Sequence, residues 1–148
     1  MLEDVVLFVN ILAAGVLVGN ELGTWAVVHP ALHRLSFDQE RPAEQQITRR
    51  YGYFMPVVML ATVASGFVGA ALTSGQASKL LFAAGALFTA MLLITLIGNV
   101  PLNVKTLQFA AEGDPAEWHA IRRRWDRLHL VRVTLDLAGF CCVALAVL

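Results

Sequence analysis

The stretch that decides the fold runs Pro115-Ala-Glu-Trp118-His-Ala-Ile-Arg122-Arg-Arg-Trp125-Asp-Arg-Leu-His129-Leu-Val-Arg132-Val-Thr-Leu-Asp136-Leu-Ala-Gly-Phe-Cys-Cys-Val-Ala-Leu-Ala-Val-Leu148. Its first half is rich in Arg and its second half is apolar, yet one helical period runs through both. Trp118, Arg122, Trp125, His129, Arg132 and Asp136 are separated by 4, 3, 4, 3 and 4 residues, a spacing that puts side chains on one face of an α-helix. The start is marked by Asp114 as an N-cap, Pro115 at the first helical position and Glu117 at the third. A helix from there to Leu148 is about 50 Å long at roughly 1.5 Å per residue, several turns more than a hydrocarbon core of about 30 Å. The stretch therefore reads as a membrane span over 128–148 with an extension outside the bilayer.

Three further apolar runs are long enough to cross: 5–28, interrupted by Asn10, Asn20 and Glu21, then 54–73, then 80–100. The fold class expected is all-α, an integral membrane four-helix bundle forming a single domain over 1–148. Composition agrees, with 57% hydrophobic and 15% charged residues and a mean hydropathy of +0.65, against about 25% charged in soluble domains. The short Ser74-Gly75-Gln76 link makes spans two and three antiparallel neighbours. Arg41-Pro42 gives a weaker helix start, and so an extension ahead of span two. The opening residues are acidic and lack Lys and Arg, unlike a secretory signal, so the first span is expected to be retained.

Charge placement orients the chain. The first connection holds Arg34, Arg41, Arg49 and Arg50, the third holds Lys105, Arg122, Arg123, Arg124 and Arg127, and the other side has Lys79. Under the positive-inside rule both long connections and the helix extensions are cytoplasmic, both termini lie outside, and the membrane is the plasma (inner) membrane. Net charge is zero, with no basic stripe carrying interleaved aromatics, so nucleic acid is not an expected partner. Cys141 and Cys142 are adjacent within an apolar run and form no CxxC motif.

Polar groups facing lipid would be costly, so the stripe is read as pointing into the bundle, with a solvated cytoplasmic face the equal alternative for Arg122 and Trp125. Arg132 and Asp136 lie about 6 and 12 Å inside their span. Asp136 follows Arg132 by four residues, which allows an intrahelical pair, and Glu21 of span one reaches a similar depth. An intramembrane ionisable cluster is a functional site by default; the bland alternative is an ion-pair network bracing the bundle. Asn99 and Asn103 share a face of span three around Pro101, which frees a carbonyl one turn earlier. Glu21, Trp25 and His29 are also spaced by four, ahead of Pro30. His29, His129 and Glu21 make a candidate metal set, since imidazole and carboxylate suit iron, copper or zinc. A lone interfacial His is more often a solvated end-cap. His119 falls one position off the stripe, and His33 lies beyond Pro30 and is expected to be exposed. Asn10 is expected to bridge helices by a hydrogen bond, and Gly15 and Gly19 form a GxxxG pair suggestive of close packing.

The segment Gly98-Asn-Val-Pro-Leu-Asn103, followed by Trp118-x3-Arg122-x2-Trp125-x3-His129-x2-Arg132, resembles the anthrone oxygenase-like family of small four-helix membrane proteins. Val28-His29-Pro30-Ala31-Leu32 extends the resemblance loosely into span one, so that it covers nearly the whole chain. The resemblance implies an oxidoreductase that oxidises an anthrone- or quinol-like aromatic with dioxygen. It carries Asn99, Asn103, Trp118, Arg122, Trp125, His129 and Arg132 over as the polar core. The residues suit that chemistry. His129 or a desolvated Glu21 can serve as the base that deprotonates an acidic C–H. Arg132, Asn99 and Asn103 can stabilise the oxyanion. Trp25, Trp118, Arg122, Trp125 and Asp136 are the expected substrate contacts, with the indoles offering flat surfaces to a ring system. The cofactor is either none beyond dioxygen or a single transition metal, iron or copper. Partners are the lipid bilayer and a lipophilic small molecule, with a homo-oligomer compatible with the chain. The alternative is a non-enzymatic small transporter subunit or assembly partner whose buried charges are structural.

Overall fold

Four long helices account for nearly the whole chain, as the apolar periods predict. The computed structural model describes residues 2–148, so the first residue of the expected 1–148 domain lies outside them. Helix α1 covers Leu2–Leu32, α2 Phe37–Leu72, α3 Gly75–Gln108 and α4 Pro115–Ala146. At 31, 36, 34 and 32 residues, each is longer than the roughly 20 residues that cross hydrocarbon, and each is apolar enough to cross it. No strand occurs among the described residues. Helix α1 packs between α2 and α4, and α3 packs between the same two, giving an up-down-up-down bundle. The end of α1, the start of α2, the end of α3 and the start of α4 meet at one polar end.

Helix starts follow from local chemistry. Asp114 caps α4 as read, its carboxylate accepting the Ala116 N–H at 2.8 Å. Helix α2 starts earlier than the expected Arg41-Pro42: it begins at Phe37, after an extended Ser36. The Ser36 hydroxyl donates to Gln39 at 3.2 Å, and Ser-x-x-Gln is the sequence form of a capping box. Pro42 and Pro56 then sit inside an unbroken helix. Gly75, at φ 63°, makes the tight turn into α3 in a conformation that costs glycine little.

Helices α1 and α3 share a local irregularity. Residues Thr24–Val28 and Thr95–Asn99 form π-helical turns, with His29 N–H donating to the Thr24 carbonyl and Val100 N–H to the Thr95 carbonyl. A proline follows each turn by the same offset, Pro30 in α1 and Pro101 in α3. Proline has no N–H and crowds the carbonyl one turn back. Widening the preceding turn relieves that crowding, so α1 continues through Pro30 to Leu32.

At the end opposite the polar cluster the core is apolar and tightly packed, built on Ala14, Leu17, Leu81, Ala84, Phe88, Met91 and Val143. Asn10 bridges α1 and α2 as expected, donating to the Ser65 hydroxyl at 2.9 Å. The Gly15/Gly19 pair does not mark the close approach: a Cβ on Gly19 would meet nothing within 4 Å. The close crossing is instead between α2 and α3, where a Cβ on Gly66 would lie 3.2 Å from the Gly85 Cα. Gly66→Val is therefore expected to destabilise the bundle by about 1–3 kcal/mol through overpacking, and Gly19→Val to leave it unchanged. Thermal unfolding in detergent checks the contrast; equal effects would contradict this packing.

Candidate functional site

The polar face of α4 is buried along its whole length: Trp118, Arg122, Trp125, His129, Arg132 and Asp136 all point inward. The reason is the one given by the sequence, since lipid cannot solvate these groups and the bundle interior can pair them. Arg132 donates from Nη2 to Glu21 Oε1 of α1, and both side chains are buried. The Arg132–Asp136 pair that the spacing allows does not form. Arg132 is drawn across to Glu21, and neither Asp136 carboxylate oxygen has a hydrogen-bond partner.

His129 completes this layer. Its Nε2 lies 3.1 Å from the Glu21 backbone carbonyl, and its Nδ1 lies 3.2 Å from Glu21 Oε2. A carbonyl oxygen only accepts, so Nε2 carries a proton in this arrangement. Nδ1 and Oε2 then face each other as two buried atoms, neither of which has a hydrogen-bond partner.

A cavity of about 330 Å³ opens over this pair, with Glu21, His129, Arg132 and Trp125 among its lining residues. Met55 and Met59 form part of its apolar wall, and Asn103, Tyr51 and the π-turn residues Thr24 and Thr95 add polar points. Gly52 and Pro56 of α2 and Val100 and Val104 of α3 also line it, and all four are exposed at the bundle surface. The mouth therefore lies between α2 and α3 at the outer surface of the bundle. Apolar walls with a few convergent polar groups are what a small-molecule pocket requires.

Toward the polar end, aromatic rings connect this layer to a second one. Trp125 stacks on both His29 and His129, with ring centroids 4.6 Å apart in each case. Its indole N–H donates to Asn103 at 2.7 Å, and the Arg122 guanidinium lies 4.9 Å from its ring centre. Arg122 also reaches Glu44 at 3.1 Å. The Trp118 indole N–H donates to Glu40 at 3.0 Å. His29 Nδ1 lies 2.9 Å from Asp126.

The residues singled out in the sequence thus divide into two groups. Glu21, Asn103, Trp125, His129 and Arg132 line the cavity. Asn99 and Asp136 are fully buried nearby but outside its lining, and the Asn99 amide has no partner. Trp118 and Arg122 belong to the polar-end layer. Of the three groups expected to share a metal, His129 lies against Glu21, whereas His29 turns its Nδ1 to Asp126. Trp25 is 43% exposed, because the π turn adds a residue to the helical repeat and swings it off the face shared by Glu21 and His29.

Glu40, Glu44, Asp126 and His33 were not singled out. Glu40 and Glu44 are four apart on α2 and buried, a signal hidden by placing the helix start at Arg41-Pro42. His33 is exposed, as expected, and contacts Asp126 at 3.5 Å and Glu40 at 3.8 Å. His119, left aside, lies 3.8 Å from Glu40.

The sequence profile of the anthrone oxygenase family matches residues 45–142, about two thirds of the chain. No curated protein and no solved structure matches.

Removing one partner of the buried pair leaves an uncompensated charge. Glu21→Met and Arg132→Leu are each expected to cost about 3–5 kcal/mol. The double variant should be less destabilised than the sum of the two, since neither charge is then stranded. Thermal unfolding of the three variants measures this coupling; strict additivity would contradict the pairing.

Proposed function

The chain belongs to the anthrone oxygenase family, and from that premise we propose that it is a membrane oxygenase acting on a lipophilic aromatic, anthrone- or quinol-like, at the cavity between α2 and α3. The observation that carries this reading is the floor of that cavity. A His–carboxylate pair, His129 Nδ1 3.2 Å from Glu21 Oε2, lies beneath apolar walls that open at the bundle surface. A hydrophobic phenol would partition into the bilayer and enter sideways, without crossing water.

The reaction balances as a ring CH2 plus dioxygen giving a ring C=O plus water. Its first requirement is loss of a proton from the CH2 flanked by the aromatic rings. His129 Nδ1 with Glu21 Oε2 is the proposed base, removing a proton that water at neutral pH removes slowly. Deprotonation places negative charge on the peripheral oxygen. Arg132 and the Asn103 amide are the proposed partners of that oxyanion, with Asn99 one turn away. Trp125 presents a flat face to the ring system. Arg122 and Trp118 position it, Arg122 through its contact with the indole and Trp118 through Glu40. Trp25 and Asp136 are retained as outer contributors to the same site. In this reading the positive-inside rule puts the polar end in the cytoplasm and the termini outside, with 1–148 acting as one unit in the plasma (inner) membrane.

The test is turnover of an anthrone to its anthraquinone by the purified protein in proteoliposomes, followed by absorbance and oxygen uptake. His129→Ala and Glu21→Gln should lower kcat by roughly 10²–10⁴-fold, the range for a lost general base. Val104→Trp, at the exposed mouth, should raise KM while leaving the fold intact. Wild-type turnover in all three would contradict the reading, as would activity in none of the proteins, wild type included.

A further inference from the structure

Beside the cavity lies a second recess of about 190 Å³, lined by Trp25, His29, Pro30, His33, Asp126 and His129. His129 borders both spaces. We propose that this recess binds a divalent first-row transition-metal ion, held by His29, His33 and Asp126. The assignment stands whether or not the neighbouring cavity takes a phenol.

The geometry supports it first. His29 and His33 are four residues apart, and α1 stays helical through Pro30, so both rings face α4. Asp126 divides its two oxygens between them. Oδ1 lies 2.9 Å from His29 Nδ1, and Oδ2 lies 3.5 Å from His33 Nε2. Ligand atoms about 2.1 Å from one ion and about 90–110° apart lie roughly 3.0–3.4 Å from each other. The three donor atoms all lie within 4.8 Å of one another, so small side-chain rotations bring them around an ion. Two imidazoles and one carboxylate form a donor set suited to iron(II) and its neighbours, with positions left open for water.

Charge supports it independently. His33, Glu40 and Glu44 form a second group within the same 4.8 Å limit. Glu40 and Glu44 are 1% exposed, and one oxygen of each lacks a hydrogen-bond partner. The orphaned Glu40 Oε1 is the atom 3.8 Å from His33 Nε2. Three carboxylates, Glu40, Glu44 and Asp126, thus surround the histidines. The guanidinium in contact with them is Arg122, which also approaches His29 Nδ1 at 3.4 Å and is held 3.1 Å from Glu44. Burying carboxylates without counter-charge is costly. A divalent cation between His33, Asp126 and Glu40 supplies the missing positive charge, with Glu40 as an outer or fourth ligand. Trp118 and His119, both on Glu40 Oε2, orient that carboxylate and leave Oε1 toward His33.

The experiment uses the full-length, untagged protein in detergent, stripped with chelator and titrated with Co²⁺. Visible absorption and elemental analysis give stoichiometry and affinity, and thermal unfolding gives the linked stabilisation. The expected result is one Co²⁺ per chain, a raised Tm, at least tenfold weaker binding for His33→Ala, and unchanged binding for Glu112→Ala, an exposed acid outside the recess. His33 is exposed and lies outside the apolar spans, so its variant folds; the metal-free Tm verifies this. Absence of saturable Co²⁺ binding by the wild type would overturn the proposal. So would wild-type affinity in His33→Ala, or an equal loss in both variants.

Discussion

A carboxylate and a guanidinium placed at membrane depth have no water to return to, and much of this bundle follows from how Glu21 and Arg132 answer that constraint. In low dielectric the pair is costly to create and more costly to split, so its effect is to specify geometry more than to add stability. It fixes the height of α1 against α4. Once that register is set, both the Glu21 carbonyl and its carboxylate face the His129 ring. Two turns on, His29 meets Asp126. Trp125 lies against both histidines and is held by Asn103 from α3. Three helices are thus tied to one another through a chain of polar and ring contacts that begins at one ion pair.

The same level is where the helices depart from regular geometry. Thr24 and Thr95 open the two π turns, and both line the cavity. Pro56, inside α2, lines it as well. A widened turn rotates the residues after it, and a proline removes a backbone hydrogen bond. Together they keep α1, α2 and α3 from closing tightly over the ion pair. Farther along, Gly66 and Gly85 bring α2 and α3 close, and at the polar end the Gln45 amide ties α2 to the Thr106 and Phe109 carbonyls of α3 and its following turn. The mouth lies between these two fastenings.

Much of this was legible in the sequence, because a polar stripe on a membrane helix has only one direction in which to point. Every member of the α4 stripe is buried, and Asn10 bridges helices as its isolation in an apolar run suggested. What failed had local causes. Spacing allowed Arg132 either Asp136 or Glu21, and it could not weigh an intrahelical partner against one on another helix. Ending span one at Val28 left His33 out of the metal set, although the π turn lets α1 continue through Pro30 to Leu32, with His33 directly after it. Taking Arg41-Pro42 as the start of α2 concealed Glu40 and Glu44, although Ser36-x-x-Gln39 marks the earlier start. The polar-end cluster was therefore the least visible part, assembled from α1, α2 and α4 after the end of α1 and the start of α2 had each moved by a few residues.

The central claim is that the space above Glu21 and His129 receives an aromatic from the bilayer. Photocrosslinking tests it most directly: an azido-anthraquinone is partitioned into liposomes holding the protein, irradiated, and its adducts located by mass spectrometry. The account predicts adducts on Met55, Met59, Val100 and Val104, diminished by excess unlabelled anthraquinone. Adducts confined to the polar surface around Arg49, Arg50 and Tyr53, or spread evenly over the lipid-facing helices and indifferent to competitor, would contradict it.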